Sequence, residues 1–254
     1  DGCMTTQNFV INETGGPTIT LNSITNAGCT NNGAIDISTT GTITSINWSN
    51  GETTEDITGL ASGLYTVTVT DNGGCSSLLD VQVNPAIPTT PEICLVTVDS
   101  VTTKNLVVWE KEVTSDISHY NIYREGSQTG VYVKVDSVFY SEDSEFIDHV
   151  ASPMVRSWRY KISSLDDCGN EPELSDYHKT MHLTSNKGVA GEYNLIWDHY
   201  QGFSYSTYYI NRWHPTTGWE IIDSVSSNAI SYSDYNAPGD SNLVYMISIN
   251  TPGL

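Results

Sequence analysis

Five cysteines, six histidines and thirty acidic side chains are the residues of this 254-residue chain that could do chemistry. Cys3, Cys29, Cys75, Cys94 and Cys168 do not make a zinc site, because zinc ligands come in close pairs such as C-x-x-C and the nearest two here, Cys75 and Cys94, are 19 positions apart. A catalytic thiol needs a His base beside it, and no local pattern supplies one. His178 and His182, four apart on an expected strand, would share a face and could touch a metal, but no third ligand accompanies them. His119, His149, His199 and His214 stand in loops or strand starts. No G-x-S-x-G, H-E-x-x-H or Gly-Lys-Ser phosphate loop occurs. The acid groups Glu52/Glu55/Asp56, Glu142/Asp143/Glu145, Asp166/Asp167 and Glu171/Glu173 could serve glycoside hydrolysis only by facing each other across a cleft, which a thin sandwich lacks. Asp and Asn in turns are hard oxygen ligands, so calcium is the one ion the composition admits, but no D-x-D-x-D-G loop is present. The expectation is a chain with no catalytic residue, no metal site and no cofactor.

The balance of charge narrows the partners. The formal net charge is −20, and no Lys or Arg occurs before Lys104. Nucleic acid and anionic membrane surfaces are bound through clustered Lys and Arg, so both are excluded as partners. No run approaches the roughly 18 apolar residues that span a bilayer, so membrane insertion is not expected. There is no charged-then-apolar leader, and any export signal is expected outside this chain. Abundant Thr, Ser, Asn, Val, Ile and Tyr are the make-up of strands and turns. In that setting cysteines read as structural disulfides of an exported protein.

An internal match organises the first third. Gly2-Cys3 is followed by Phe9, Ile11 and Asn12, and Gly74-Cys75 by Val81, Val83 and Asn84, at the same offsets and 72 residues later. Residues 1–14 therefore read as the last strand of a preceding repeat, and a fixed period implies a longer array. The complete copy spans 15–86, with alternating strands at Ile19/Leu21, Ile35/Ile37, Ile46/Trp48, Tyr65/Val67/Val69 and Val81/Val83. Turn residues Asn32-Gly33, Asn50-Gly51, Ser62-Gly63 and Asn72-Gly73 bound them, the pattern of an immunoglobulin-like β-sandwich. The segments Asn32–Ile37, Trp48–Gly51, Thr54–Ile57, Gly59-Leu60, Gly63–Asp71 and Gly74-Cys75 closely resemble the SprB-type repeat of giant surface adhesins in gliding bacteria. The resemblance covers nearly all of 17–83, and departs from the family in lacking a Pro-Pro-Tyr-rich hairpin before the Trp. It implies a spacer or adhesive module at the bacterial cell surface, and no catalytic residues.

Residues 87–90 form a linker within the proline-rich stretch 85–92, stiffened toward an extended conformation. Beyond it, 91–184 is expected to carry strands at Leu106–Trp109, Ile117–Arg124, Val131–Val138, Glu145–Asp148, Trp158–Ile162 and Tyr177–Leu183. With Trp109 on the second strand, Tyr120–Arg124 on the third and Tyr160 and Ile162 on the sixth, this segment resembles a fibronectin type III domain. Residues 186–254 repeat the theme in Asn194–Trp197, Tyr209–Arg212, Ser231–Asp234 and Val244–Ile247. They stop where a seventh strand should begin, so the chain is expected to continue. The fold class is all-β: tandem immunoglobulin-like and fibronectin type III-like sandwiches in an elongated array.

The domain boundaries suggest disulfides Cys29–Cys75 and Cys94–Cys168, each within one domain, and leave Cys3 unpaired. Aromatic residues crowd the last segment. Trp197 and Tyr245 should be core, while Tyr200, Phe203, Tyr205, Trp213 and Trp219 are candidate ligand-binding aromatics that could stack on sugars or anchor a protein. Three Asp-Ser-Val triplets, at Ser100, Ser137 and Ser224, match the O-glycan acceptor pattern of the bacterial lineage the repeats resemble. The expected function is a non-catalytic adhesive and spacer segment of a large secreted or cell-surface bacterial protein. Its partners would be other domains or proteins of the bacterial outer surface, or surface polysaccharide. The alternative is a carbohydrate-binding accessory region of an exported enzyme.

Overall fold

The structure is a computed structural model that describes residues 15–112, 117–238 and 243–251. The expected preceding-repeat strand at 1–14, with Cys3, lies outside them. Among the described residues the regular secondary structure is all β, and no helix is long and apolar enough to cross a membrane. The chain divides into two compact units, 1–87 and 88–254.

In the first unit the strands are β1 (Thr18–Thr25), β2 (Gly33–Thr40), β3 (Ile43–Trp48), β4 (Ile57–Leu60), β5 (Gly63–Asp71) and β6 (Ser76–Val83). Two antiparallel sheets, β1-β2-β4 and β3-β5-β6, face each other. Period-two alternation sends Ile35, Ile37, Trp48, Val67, Val69, Val81 and Val83 into the shared core, while Leu64 and Leu78 point outward. Burying each such side chain contributes about 1.5–3 kcal/mol. Leu21, expected inside with Ile19, is 40% exposed because a register shift between Leu21 and Ser23 breaks the alternation of β1. Strand β4 escapes the alternation rule: Ile57 and Leu60, three apart, are both buried across a four-residue strand. Gly33 opens β2 where a Cβ would lie 2.8 Å from the Leu60 carbonyl oxygen, an approach only glycine permits.

The second unit holds two sandwiches of one design. The first has β7 (Ile93–Val98), β8 (Asn105–Trp109), β9 (Ile117–Glu125), β10 (Tyr132–Phe139), β11 (Glu145–Asp148), β12 (Arg159–Asp166) and β13 (His178–Lys179). They form sheets β11-β8-β7 and β10-β9-β12-β13. The second has β14 (Leu183–Lys187), β15 (Tyr193–Trp197), β16 (Thr207–His214), β17 (Gly218–Ser226), β18 (Ser231–Asp234) and β19 (Tyr245–Ser248), in sheets β14-β15-β18 and β17-β16-β19. The expected strand Tyr177–Leu183 is split: its first half closes one sandwich as β13, and Leu183 opens the next in β14. Thr89 and Thr90 of the expected linker are tied to this unit, through Ser164 Oγ to the Thr89 carbonyl at 2.7 Å and Thr90 Oγ1 to the Glu173 carbonyl at 2.9 Å.

Corresponding residues hold the two sandwiches together. Trp109 packs on Tyr120 and Trp197 on Tyr208, with ring centroids 5.4 Å apart in each case. Arg124 meets Asp148 at 2.5 Å, and Asp148 also accepts the Tyr160 hydroxyl at 2.9 Å. Arg212 meets Asp234 at 2.7 Å, and Asp234 accepts the Tyr245 hydroxyl at 2.9 Å. Each node fixes the end of one sheet against the other.

Candidate contact surface

The aromatic residues of the last segment separate into two groups. Tyr200, Phe203 and Tyr205 sit between β15 and β16 and turn toward the preceding sandwich. Tyr200 is 4% exposed within that sandwich's core; its hydroxyl accepts the Val96 N–H at 3.3 Å and lies 2.8 Å from His178 Nδ1. Phe203 packs against Tyr200 with centroids 4.7 Å apart and the rings tilted by 44°. The Tyr205 and Tyr208 hydroxyls meet at 2.5 Å, and His199 Nδ1 lies 2.9 Å from the Tyr208 hydroxyl. Met181, Tyr205 and Ile249 pack against both cores. The ligand-binding expectation is corrected for Tyr200, which is spent as a plug between sandwiches; the half-buried Phe203 and Tyr205 pack around it. Gly202 lets the segment lie flat on the His178 ring, where a Cβ would stand 2.4 Å from ring atoms, and its φ of +151° favours glycine.

His178 and His182 are not a metal pair. His178 is buried against Tyr200, and His182, past the end of β13, places Nδ1 2.9 Å from the Pro153 carbonyl oxygen. Burial lowers the His178 pKa to about 4 against the opposing pull of Asp176, so the ring is neutral near pH 7. Burial would raise the Asp148 carboxyl, but hydrogen bonds from the Ala151 N–H, Arg124, Tyr160 and the Val150 N–H outweigh it and hold its pKa below the ordinary value. Burial, reinforced by Asp148, pushes the Tyr160 hydroxyl well up.

Trp213 and Trp219 form the other group. They are a cross-strand pair on β16 and β17, centroids 5.6 Å apart at 73°, and remain 41% and 44% exposed. Gly218, at φ +80°, makes the tight hairpin that brings them together. Ile221 and Met246 on the flanking strands, and Val244 just before β19, are exposed beside them.

The cysteine pairings are corrected as well. Cys75 and Cys94 are free, exposed thiols, while Cys29 and Cys168 are each disulfide-bonded. Cys75 precedes β6, whereas Cys29 follows Ala27, which bridges to Pro85 beyond the far end of β6. Eight residues of strand separate these ends by roughly 25 Å, far beyond disulfide reach. Cys94 is the extra residue of a bulge between Ile93 and Leu95 and projects to solvent, and Cys168 lies in a turn of the opposite sheet.

The turn carboxylates serve their own turns. Asp71 Oδ1 accepts the Gly73 and Cys75 N–H groups at 2.9 Å, and Asp166 Oδ1 accepts those of Cys168 and Asn170. Asp99 Oδ2 accepts the Thr102 hydroxyl and N–H at 2.6 Å, which lowers its pKa. Glu171 accepts from Ser163, Asn121 and Tyr123. Two Asp-Ser-Val triplets occupy equivalent places in β10 and β17: Asp136 and Asp223 lie beside bulges and accept the N–H of Ser137 and Ser224 at 2.8 and 2.7 Å. The Ser137 hydroxyl is engaged by Asn121 Oδ1 at 3.0 Å, whereas Ser100, in a turn, and Ser224 are exposed. The Arg–Asp–Tyr nodes were not foreseen as sites; the repeated Arg124/Arg212, Asp148/Asp234 and Tyr160/Tyr245 positions were their sequence trace.

The strand arrangement and the repeated nodes define an all-β chain of tandem β-sandwich domains. No protein-family model matches the sequence, and no curated protein matches it. Among solved structures, the chicken CNTN1 FN1-FN3 domains are similar at 12% identity and a TM-score of 0.33, over 92% of this chain and 98% of that one.

Proposed function

We propose that this chain is an adhesive and spacing segment of a large protein exported to the bacterial cell surface, with 15–86 acting as an SprB-type module. The Trp213–Trp219 pair carries the reading. Two large rings left nearly half exposed on a sheet face, beside further apolar side chains, mark a surface for contact with a partner. The tightly bonded ionisable groups serve architecture: Asp148, Asp234, Glu125 and His178 are spent on Arg124, Arg212, Arg159 and Tyr200. The disulfide suits an oxidising, extracellular setting.

Single-molecule pulling tests this, with the whole chain tethered to a tip and lowered onto a bacterial cell layer. Rupture events well above those of a tip carrying an unrelated sandwich domain are expected. Equal event frequencies would end the adhesive reading.

A further inference from the structure

The sheets β10-β9-β12-β13 and β17-β16-β19 can be laid over each other position by position, because each carries an Arg opposite a Tyr in register: Arg124 with Tyr160, and Arg212 with Tyr245. One residue beyond each Arg stand Glu125 and Trp213, and their cross-strand neighbours are Tyr132 and Trp219. Lys134 and Lys161 flank Tyr123 in one sheet; Ile221 and Met246 flank Asn211 in the other. Arg159 and Val244 precede the two tyrosines.

The first face is closed upon itself by charge. Arg159 pairs with Glu125 at 3.0 Å, and Lys161 Nζ stands 5.3 Å over the Tyr132 ring. In the second, all four charged positions are replaced, Glu125 by Trp213, Arg159 by Val244, Lys161 by Met246 and Lys134 by Ile221, and the Tyr132 ring is enlarged to Trp219. The aromatic position is kept and its internal cation is gone. Among the described residues no Lys or Arg stands over Trp213 or Trp219, and the Arg212 guanidinium is drawn to Asp234.

We infer that the Trp213–Trp219 face binds a basic protein surface. Its Arg or Lys side chains would take, from outside, the place that Lys161 takes inside the sister sandwich, with their aliphatic stems lying on Ile221 and Met246. The net charge of −20 favours such a partner and opposes a second copy of this chain. A sugar fits less well: the rings meet at 73° and make no coplanar platform, and the Asn211 amide is already donated to Tyr209, Met246 and Ser248. The inference rests on the adhesive reading and names the class of partner that reading requires.

The test uses the full chain and three probes: an alternating Arg-Val octapeptide, the matching Glu-Val octapeptide, and chitohexaose. Met246→Lys supplies the internal cation of the sister face, and Met246→Leu keeps the site apolar. The Arg-Val peptide should bind the natural chain and Met246→Leu alike, and bind Met246→Lys about tenfold more weakly, with the thermal melt of every variant unchanged. No Arg-Val binding, or binding equal in the natural chain and Met246→Lys, overturns the inference. So does preference for the acidic peptide or the sugar, or a sedimenting dimer abolished by Met246→Lys. Pulling with Met246→Lys separates the two claims. Adhesion that survives the substitution removes this face while the adhesive reading stands; peptide binding without any cell adhesion removes the reading while the face stands.

Discussion

The sandwich of the first unit and the pair in the second share a two-sheet antiparallel design and hold it together by different means. The first is closed by aliphatic side chains and one tryptophan, and none of the ion pairs found among the described residues lies in it. The pair in the second unit buries Asp148, Asp234, Glu125 and His178 and satisfies them with Arg, Tyr and backbone groups. An apolar core tolerates changes of pH and suffers in proportion to the volume removed. A buried polar node is insensitive until one partner is lost, and then the remainder is a stranded charge.

The sharpest way to break this contrast is to strand that charge. Asp148→Ala should cost the second unit about 3–5 kcal/mol by leaving the Arg124 guanidinium without its carboxylate. Chemical denaturation followed by hydrogen exchange should show that loss with the first unit's protection unaltered. A loss below about 1 kcal/mol would mean the node contributes little.

Acid should separate the units more gently. The His178 pKa falls from 6.5 to about 4 on folding, chiefly through burial, so the unfolded chain takes up its proton first as pH drops. Its neutral ring leaves the second unit fully stable above pH 6.5 and progressively weaker toward pH 4; the Asp148 contribution is lost only lower, below the ordinary carboxylate range. All six histidines follow residue 88, so the first unit should lack this imidazole-linked decline. Melting temperatures between pH 7 and 4, with His178→Gln to remove the slope, check the assignment. The smallest effect is expected at the free thiols: Cys75→Ser and Cys94→Ser should each move stability by less than about 0.5 kcal/mol, while both natural thiols react with a maleimide in the folded chain.

Much of this fold was legible because period-two alternation is a local property. Ile35/Ile37, Val67/Val69 and Val81/Val83 face the core as their spacing requires, and the match of Asp148 with Asp234 and of Tyr160 with Tyr245 revealed a repeated sandwich. Short strands gave no period: β4 spans four residues and β13 two. The cysteines misled because domain membership says nothing about which end of a sandwich a loop occupies. Tyr200 and Trp213 were indistinguishable as members of an aromatic-rich stretch. What parts them is a contact with Val96 and His178 across more than twenty positions of chain, which no local pattern encodes.

The lodging of Tyr200 in its neighbour's interior has a thermodynamic consequence. Melting the host sandwich frees the plug and strips the guest of its anchorage, while melting the guest withdraws a ring from the host and uncovers an apolar hollow. Each therefore stabilises the other, and calorimetry is expected to show residues 88–254 melting as one cooperative block assembled from two domains.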